Sequence, residues 1–286
     1  MAAEAIIGRC LDALEMLALA PRGLPLTVLS QRLGLVKSAT HRLLAELQSE
    51  GFVTQEPESQ HYRLTMRFPT LGFRFLTGLG VVEAGKQPLD ALAARTGELV
   101  RMTVAEADRL TWIARAQGAT TALRFDPETG PEVPLVTTAS ARVWLATLPE
   151  SRALALVKAE GFGADARDDH SGPNAPRSLS DFAVRLRATR RDGHAIAIDE
   201  IEPGMSAVAV VIAHPVPGRP VLGTVSVAGP SLRVDRARLE SFVPDLRATA
   251  AELSTRWPPQ ALGMPGDLPD VASVTSGRKP PQRQSD

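Results

Sequence analysis

Residues 26–51, LTVLSQRLGLVKSATHRLLAELQSEG, hold two short helical patterns separated by one tight turn. In the first, Thr27 suits an N-cap, Val28, Leu29 and Leu33 are apolar, and Gly34 stands where a helix ends in the left-handed conformation. Leu35-Val36 is the turn. Lys37 or Ser38 opens the second pattern, Leu43, Leu44 and Leu47 form its inward stripe, and Gly51 ends it. Two short helices joined this way are a helix-turn-helix. FVTQE and HYRLT follow as short alternating segments, separated by PES and its flanks. A hairpin directly after the second helix predicts a winged helix-turn-helix. Upstream, Ile7, Cys10, Leu11, Leu14, Leu17 and Ala18 recur at helical spacing, and Pro21, Gly23 and Pro25 stop that helix.

In such a layout the second helix enters the DNA major groove by its N-terminal residues. Those residues are Lys37, Ser38, Thr40, His41 and Arg42. Arg42 can meet the guanine edge in bidentate fashion. Lys37 and the hydroxyls suit phosphate oxygens. His61 and Arg63 sit on the wing, and Arg67 follows, placed to meet phosphate or an adjacent minor groove. Charge alone does not announce DNA: residues 1–67 hold seven Lys/Arg and seven Asp/Glu. The placement does, because Lys37 and Arg42 stand at the helix start while Glu46 and Glu50 stand at its far end. A neutral domain implies that a dimer supplies the phosphate contacts. The rival reading is a winged helix that joins proteins.

The whole chain, 286 residues with 32 Lys/Arg and 32 Asp/Glu, is neutral, which excludes a grossly basic polyanion binder. Cys10 is the one cysteine, so no internal disulfide and no Cys-based zinc site can form. No secretory signal and no uncharged apolar run of about 18–20 residues is present, so a soluble, cytoplasmic protein is expected. Four regions follow: a winged helix over 1–67, a linker helix over 68–86, a strand-and-helix domain over 87–257, and a Pro-rich tail over 258–286 expected to be disordered. Residues 161–180 read as a flexible loop. Its Asp168, Asp169 and His170 are consecutive with no second cluster at ligand spacing, so no metal is expected, nor any cofactor. No GxSxG, P-loop or HExxH pattern occurs, so no catalytic residue is assigned and the chain is not read as an enzyme.

LSQRLGLVKSATHRLLAELQSEGFV resembles the winged helix of the IclR family of bacterial transcriptional regulators. YRLTMRFPTLGFRF is similar to that family's wing exit and linker helix. GELVRMTVAEADRLTWIARAQG, PLVTTASARVWLA, GHAIAIDEIEPGMSAVAV and GTVSVAGPSLRV resemble, in order, the stretches of its effector domain. The resemblance covers about residues 4–256. It implies an α+β chain: an N-terminal winged helix-turn-helix, a linker helix, and a C-terminal GAF/PAS-like effector-binding domain with a curved antiparallel sheet. It further implies a homodimer joined through the N-terminal region and linker, with dimers of dimers common. The partners implied are a palindromic double-stranded operator and a small organic or aromatic acid, with repression or activation as the output.

The resemblance also assigns an effector pocket. Backbone N–H groups at Ala139 and Ser140 would receive the effector's carboxylate, and Thr138 would cap that helix or touch the ligand. Ala122 and Phe125 align with an apolar wall, and Met205, Ala207 and Ser226 with further lining. This chain departs from the common pattern at several places. Val136 replaces a usual His, Ala141 a Gly, Arg142 a Lys, Ala197 an Asp, Ala207 a Cys and Ala228 a polar residue. The three changes to alanine, at Ala197, Ala207 and Ala228, remove hydrogen-bond partners and predict a widened site. Its effector would be less polar or bulkier than a small keto acid and still carry an anion for Ala139 and Ser140, or else the pocket has lost its ligand. Asp199, Glu200 and Glu202 read as a solvated loop face.

Overall fold

The computed structural model describes residues 2–121, 123–125, 132–162 and 171–262. They form two compact units, Met1–Gly78 and Leu79–Asp286.

In the first unit, α1 (Ala2–Ala18), α2 (Leu26–Leu33) and α3 (Lys37–Ser49) precede a hairpin of β1 (Val53–Gln55) and β2 (Tyr62–Leu64). Val53 pairs with Leu64 and Gln55 with Tyr62. Ala13, Leu14, Leu17, Leu29, Leu33, Leu44, Leu47, Val53 and Tyr62 make the core. Gly34 ends α2 at φ +63°, as its missing side chain allows. The N-caps differ from expectation. Pro25 and Val36 occupy those positions and neither provides a side-chain cap, so Thr27 lies inside the first turn of α2. Of the expected α1 stripe, Leu14 and Leu17 are buried, Cys10 is half-buried and Ala18 is exposed. Ile7 is 64% and Leu11 54% exposed, because no other element of the unit covers them.

α4 (Arg67–Leu79) buries no residue. The single linker helix expected over 68–86 is interrupted. Gly80 adopts φ +68°, a conformation costly for residues with a Cβ, and α5 (Val81–Thr96) starts there.

The second unit continues with β3 (Leu99–Glu106), β4 (Arg109–Gln117), α6 (Ala139–Leu145), α7 (Glu150–Glu160) and α8 (Leu179–Asp192). β5 (Ala195–Ile198), β6 (Met205–Ile212), β7 (Gly223–Pro230), α9 (Arg236–Ser241) and α10 (Val243–Arg256) complete it. The five strands form an antiparallel sheet in the order β4-β3-β7-β6-β5. Side-chain alternation gives it two buried faces. On one, Val100, Met102, Val208, Val210, Val225 and Val227 meet Leu89 and Leu92 of α5 and Leu246 and Leu253 of α10. Gly85 of α5 lies so close to β3 that a Cβ there would come 2.7 Å from Met102 Cε. On the other face, Ala139 and Val143 of α6 pack on Ala195, Ala197 and Ala209. Trp144 and Leu145 then join Val157 of α7 and Phe182 and Leu186 of α8 in an outer core.

The 161–180 stretch ends at Ser178, whose hydroxyl accepts from Asp181 N and caps α8. The region expected to be unstructured from 258 begins with a 3-10 turn at Pro259–Leu262. Buried Trp257 precedes it, and Ala261 and Leu262 pack against the core. The rest of that region, with Asp168, Asp169 and His170, lies outside the described residues. Among the described residues, no helix is long and apolar enough to cross a membrane. Among them, too, no group of three His, Cys, Asp or Glu could hold a metal ion.

Candidate functional site

The start of α3 is an exposed surface. Lys37, Ser38, His41 and Arg42 all face outward, at a spacing that puts them on one side of the first helical turns. Thr40 does not join them, which corrects the expectation. It is fully buried and its hydroxyl donates to the Val36 carbonyl at 3.2 Å. Thr40, Leu44 and Leu47 stand at i, i+4 and i+7, so Thr40 belongs to the inward stripe. On the wing, His61 is half-buried beside β2, while Arg63 is exposed and pairs with Glu56 at 3.2 Å. Arg67 places its guanidinium 4.9 Å from the Phe52 ring centre.

In the second unit, α6 and the sheet enclose a cavity of about 40 Å³. Phe125, Thr138, Ala139, Ser140, Met205, Ala207 and Ser226 all line it. Ala122 lies outside the described residues. Thr138 is the N-cap of α6. Its Oγ1 accepts from Ala141 N at 3.2 Å and donates to the Pro134 carbonyl at 2.7 Å. The hydroxyl is therefore engaged in the helix start. Ala139 and Ser140 lie in the first turn, where backbone N–H groups lack intrahelical acceptors.

The alanines expected to widen the site, Ala197, Ala207 and Ala228, do stand at the cavity, and small side chains also let α6 approach the sheet closely. Two large side chains unnoticed in the sequence take further space. Arg101 of β3 and Trp112 of β4 are 6% and 7% exposed, and the guanidinium lies 3.6 Å from the Trp112 ring centre. Burial, and then the charge of Arg115, lower the Arg101 pKa to about 10, so it stays cationic at neutral pH. Trp112 reaches this face because the β3–β4 register slips between Met102 and Thr103. Met102 pairs with Ala114 but Thr103 pairs with Trp112, leaving Ile113 as the extra residue of a bulge. Regular pairing would have turned Ile113 to the cavity. A cation on β3, a strand covered on both faces, was the available signal for Arg101.

Glu200 is also not where the sequence put it. It is 4% exposed and lines the cavity. Arg142 of α6 bonds its Oε2, and Arg185 of α8 its Oε1 at 3.1 Å. Arg142 also donates to the Ile196 carbonyl at 3.2 Å, and Arg185 is held by Asp181 at 3.1 Å. Burial pushes the Glu200 carboxyl above its usual range, against the pull of the two guanidiniums. The acidic run Asp199–Glu202 mimics a solvated loop. Asp199 instead takes φ +54° and accepts from Gly204 N and Ser231 Oγ, and this turn carries Glu200 inward. Glu202 is exposed as expected.

The family model "Bacterial transcriptional regulator IclR C-terminal" matches residues 73–255, and "IclR helix-turn-helix domain" matches residues 7–57. The DNA-binding transcriptional repressor YiaJ of Escherichia coli K12 is 30% identical over 86% of this chain and 85% of its own length. The crystal structure of an IclR transcriptional regulator from Alicyclobacillus acidocaldarius superposes with a TM-score of 0.72 at 25% identity, covering 88% of this chain and 98% of that one. An IclR homolog from Microbacterium hydrocarbonoxydans, solved in complex with 4-hydroxybenzoate, gives a TM-score of 0.69 at 21% identity, covering 88% and 98%. With a helix-turn-helix unit and an effector-binding unit each matched in order, the chain belongs to the IclR family of DNA-binding bacterial transcriptional regulators.

Proposed function

We propose that the protein is a cytoplasmic homodimer that binds a palindromic duplex operator and changes its operator affinity when a small organic acid enters the cavity of the second unit. The observation that carries the DNA reading is the outward row Lys37, Ser38, His41 and Arg42 at the start of α3. His61 and Arg63 would touch the flanking backbone, with Arg63 exchanging Glu56 for phosphate. Dimerisation is supported by unpartnered apolar surface. Phe73 and Phe75 of α4 are 65% and 63% exposed, and Ile7 and Leu11 of α1 are open as well. A second copy of the same surface is the economical cover.

Phe125, Thr138, Ala139, Ser140, Met205, Ala207 and Ser226 are assigned to the effector. The neighbour solved with 4-hydroxybenzoate makes aromatic acids the first to try. To act, the effector must bind the operator-competent and operator-incompetent dimers with different affinity.

The test is selection of genomic fragments on the purified protein, followed by anisotropy titration of the best fragment at two salt concentrations. A palindromic fragment with a steep fall in affinity at the higher salt is expected. Weak, salt-insensitive binding would favour a winged helix that joins proteins. Arg42→Ala should weaken the best fragment by about 1–3 kcal/mol and relax its preference at one position. An equal loss on every fragment would assign Arg42 to phosphate.

A further inference from the structure

Val36 stands where a helix is poorly served by a valine. It is the N-cap of α3, with φ −67° and ψ 148°, and its side chain gives no acceptor to the free N–H groups of the first turn. Serine, threonine, aspartate and asparagine suit that position, and an aliphatic side chain is among the poorest there. The side chain is also 70% exposed, so the core gains nothing from it. A residue that serves neither the helix start nor the core breaks two local rules at once, and such breaks gather at functional sites. The backbone beneath it is pinned. The Val36 carbonyl accepts from Ala39 N and Thr40 N, both at 3.0 Å, and from the buried Thr40 hydroxyl at 3.2 Å. On its other side, Leu35 packs against the core and its N–H donates to the Ser30 carbonyl at 3.0 Å. A β-branched side chain has few χ1 choices, so the isopropyl group is held out stiffly.

Val36 adjoins Lys37 and continues the outward row of Lys37, Ser38, His41 and Arg42. Each of those four carries hydrogen-bonding groups. The side chain of Val36 carries none, so it can neither hold a phosphate nor answer a donor or acceptor on a base edge. The major groove presents one apolar group that it can meet, the C5-methyl of thymine. We propose that Val36 is a specificity residue of the operator-binding surface, and that its isopropyl group packs on the C5-methyl of one thymine in each half-site. This deepens the DNA reading above and rests on it. The contact takes apolar surface out of water on both partners and desolvates no polar side chain. The stiff valine also loses little rotamer freedom on making it. Thr40 then acts from behind as a positioning residue, since its hydroxyl holds the carbonyl of the residue that reads.

The experiment uses the full-length protein and the best selected fragment. Each thymine of the half-sites is replaced in turn by deoxyuridine, symmetrically in both halves, which deletes the methyl group and keeps the base pair. In anisotropy titrations, one position should weaken wild-type binding by about fourfold per half-site, the worth of one methyl-sized group withdrawn from water. Val36→Ser and Val36→Ala both remove the isopropyl group. Each should bind the original fragment more weakly than wild type does, and should bind the thymine and deoxyuridine forms of that position equally. Serine is a favoured N-cap, so Val36→Ser should keep or raise the melting temperature, which separates a lost contact from a lost fold. A fragment bound with no sensitive thymine, or a sensitivity that both variants retain in full, overturns the proposal and leaves the regulator reading intact. Failure to bind any fragment sinks the regulator reading, and the role of Val36 with it.

Discussion

Replacing Glu200 by alanine is expected to destabilise the second unit by about 3–5 kcal/mol, the usual consequence of stranding a buried cation. Arg142 is 3% exposed and cannot turn to water in place, so it would lose its carboxylate and keep its charge. For a unit of this size, that corresponds to a fall in melting temperature of roughly 6–20 °C. The intact pair is a different matter, because the desolvation of two ions offsets much of their attraction. Removing both charges with Glu200→Leu and Arg142→Met should therefore cost less than Glu200→Ala alone. Thermal unfolding of the single and double variants checks this. A double variant that is as unstable as the sum of the singles would show that the pair acts through shape and not through charge. Arg185 limits the recovery, since it also leans on Glu200, but Asp181 still holds it.

The second large effect is expected in the small unit. Leu44 is fully buried at the centre of a core of nine buried residues. Leu44→Ala removes volume that a three-helix unit cannot easily refill, at about 2–5 kcal/mol. Small domains carry little reserve, so this loss should unfold the winged helix near physiological temperature. Calorimetry should show one transition moving down while that of the second unit stays in place, and DNA binding should disappear with the first. A single transition that shifts as a whole would mean that the two units do not melt independently.

Where local chemistry decides the structure, the chain was readable. The α2–α3 pair could be traced to the residue at its exit, because Gly34 and the Leu44–Leu47 stripe encode it locally. Thr40 was misread because a hydroxyl at a helix start looks like a DNA contact until the phase of the helix is known. Register was the harder problem in the sheet. The bulge at Ile113 decides which of two adjacent residues faces the cavity, and nothing in RLTWIARAQ marks it. Glu200 and Arg142 are distant in sequence, and each alone looks solvated. Only their meeting across α6 and the turn after β5 makes burial affordable. The alanines Ala197, Ala207 and Ala228 were identified as lining residues from the sequence, and they do line the cavity.

The closeness of Gly85 to Met102 bears on sensitivity. β3 carries Arg101 on its cavity side and Met102, the next residue, against α5 on the other. Only the Met102 side chain stands between the strand and the Gly85 backbone, so a displacement of β3 reaches the helix through that one flexible group. A site with a compliant wall could absorb a slightly misfitting molecule silently. Here the part that can give is the thioether end of Met102 against Gly85, so the bulk and flexibility of one methionine grade how much strand movement reaches the helix.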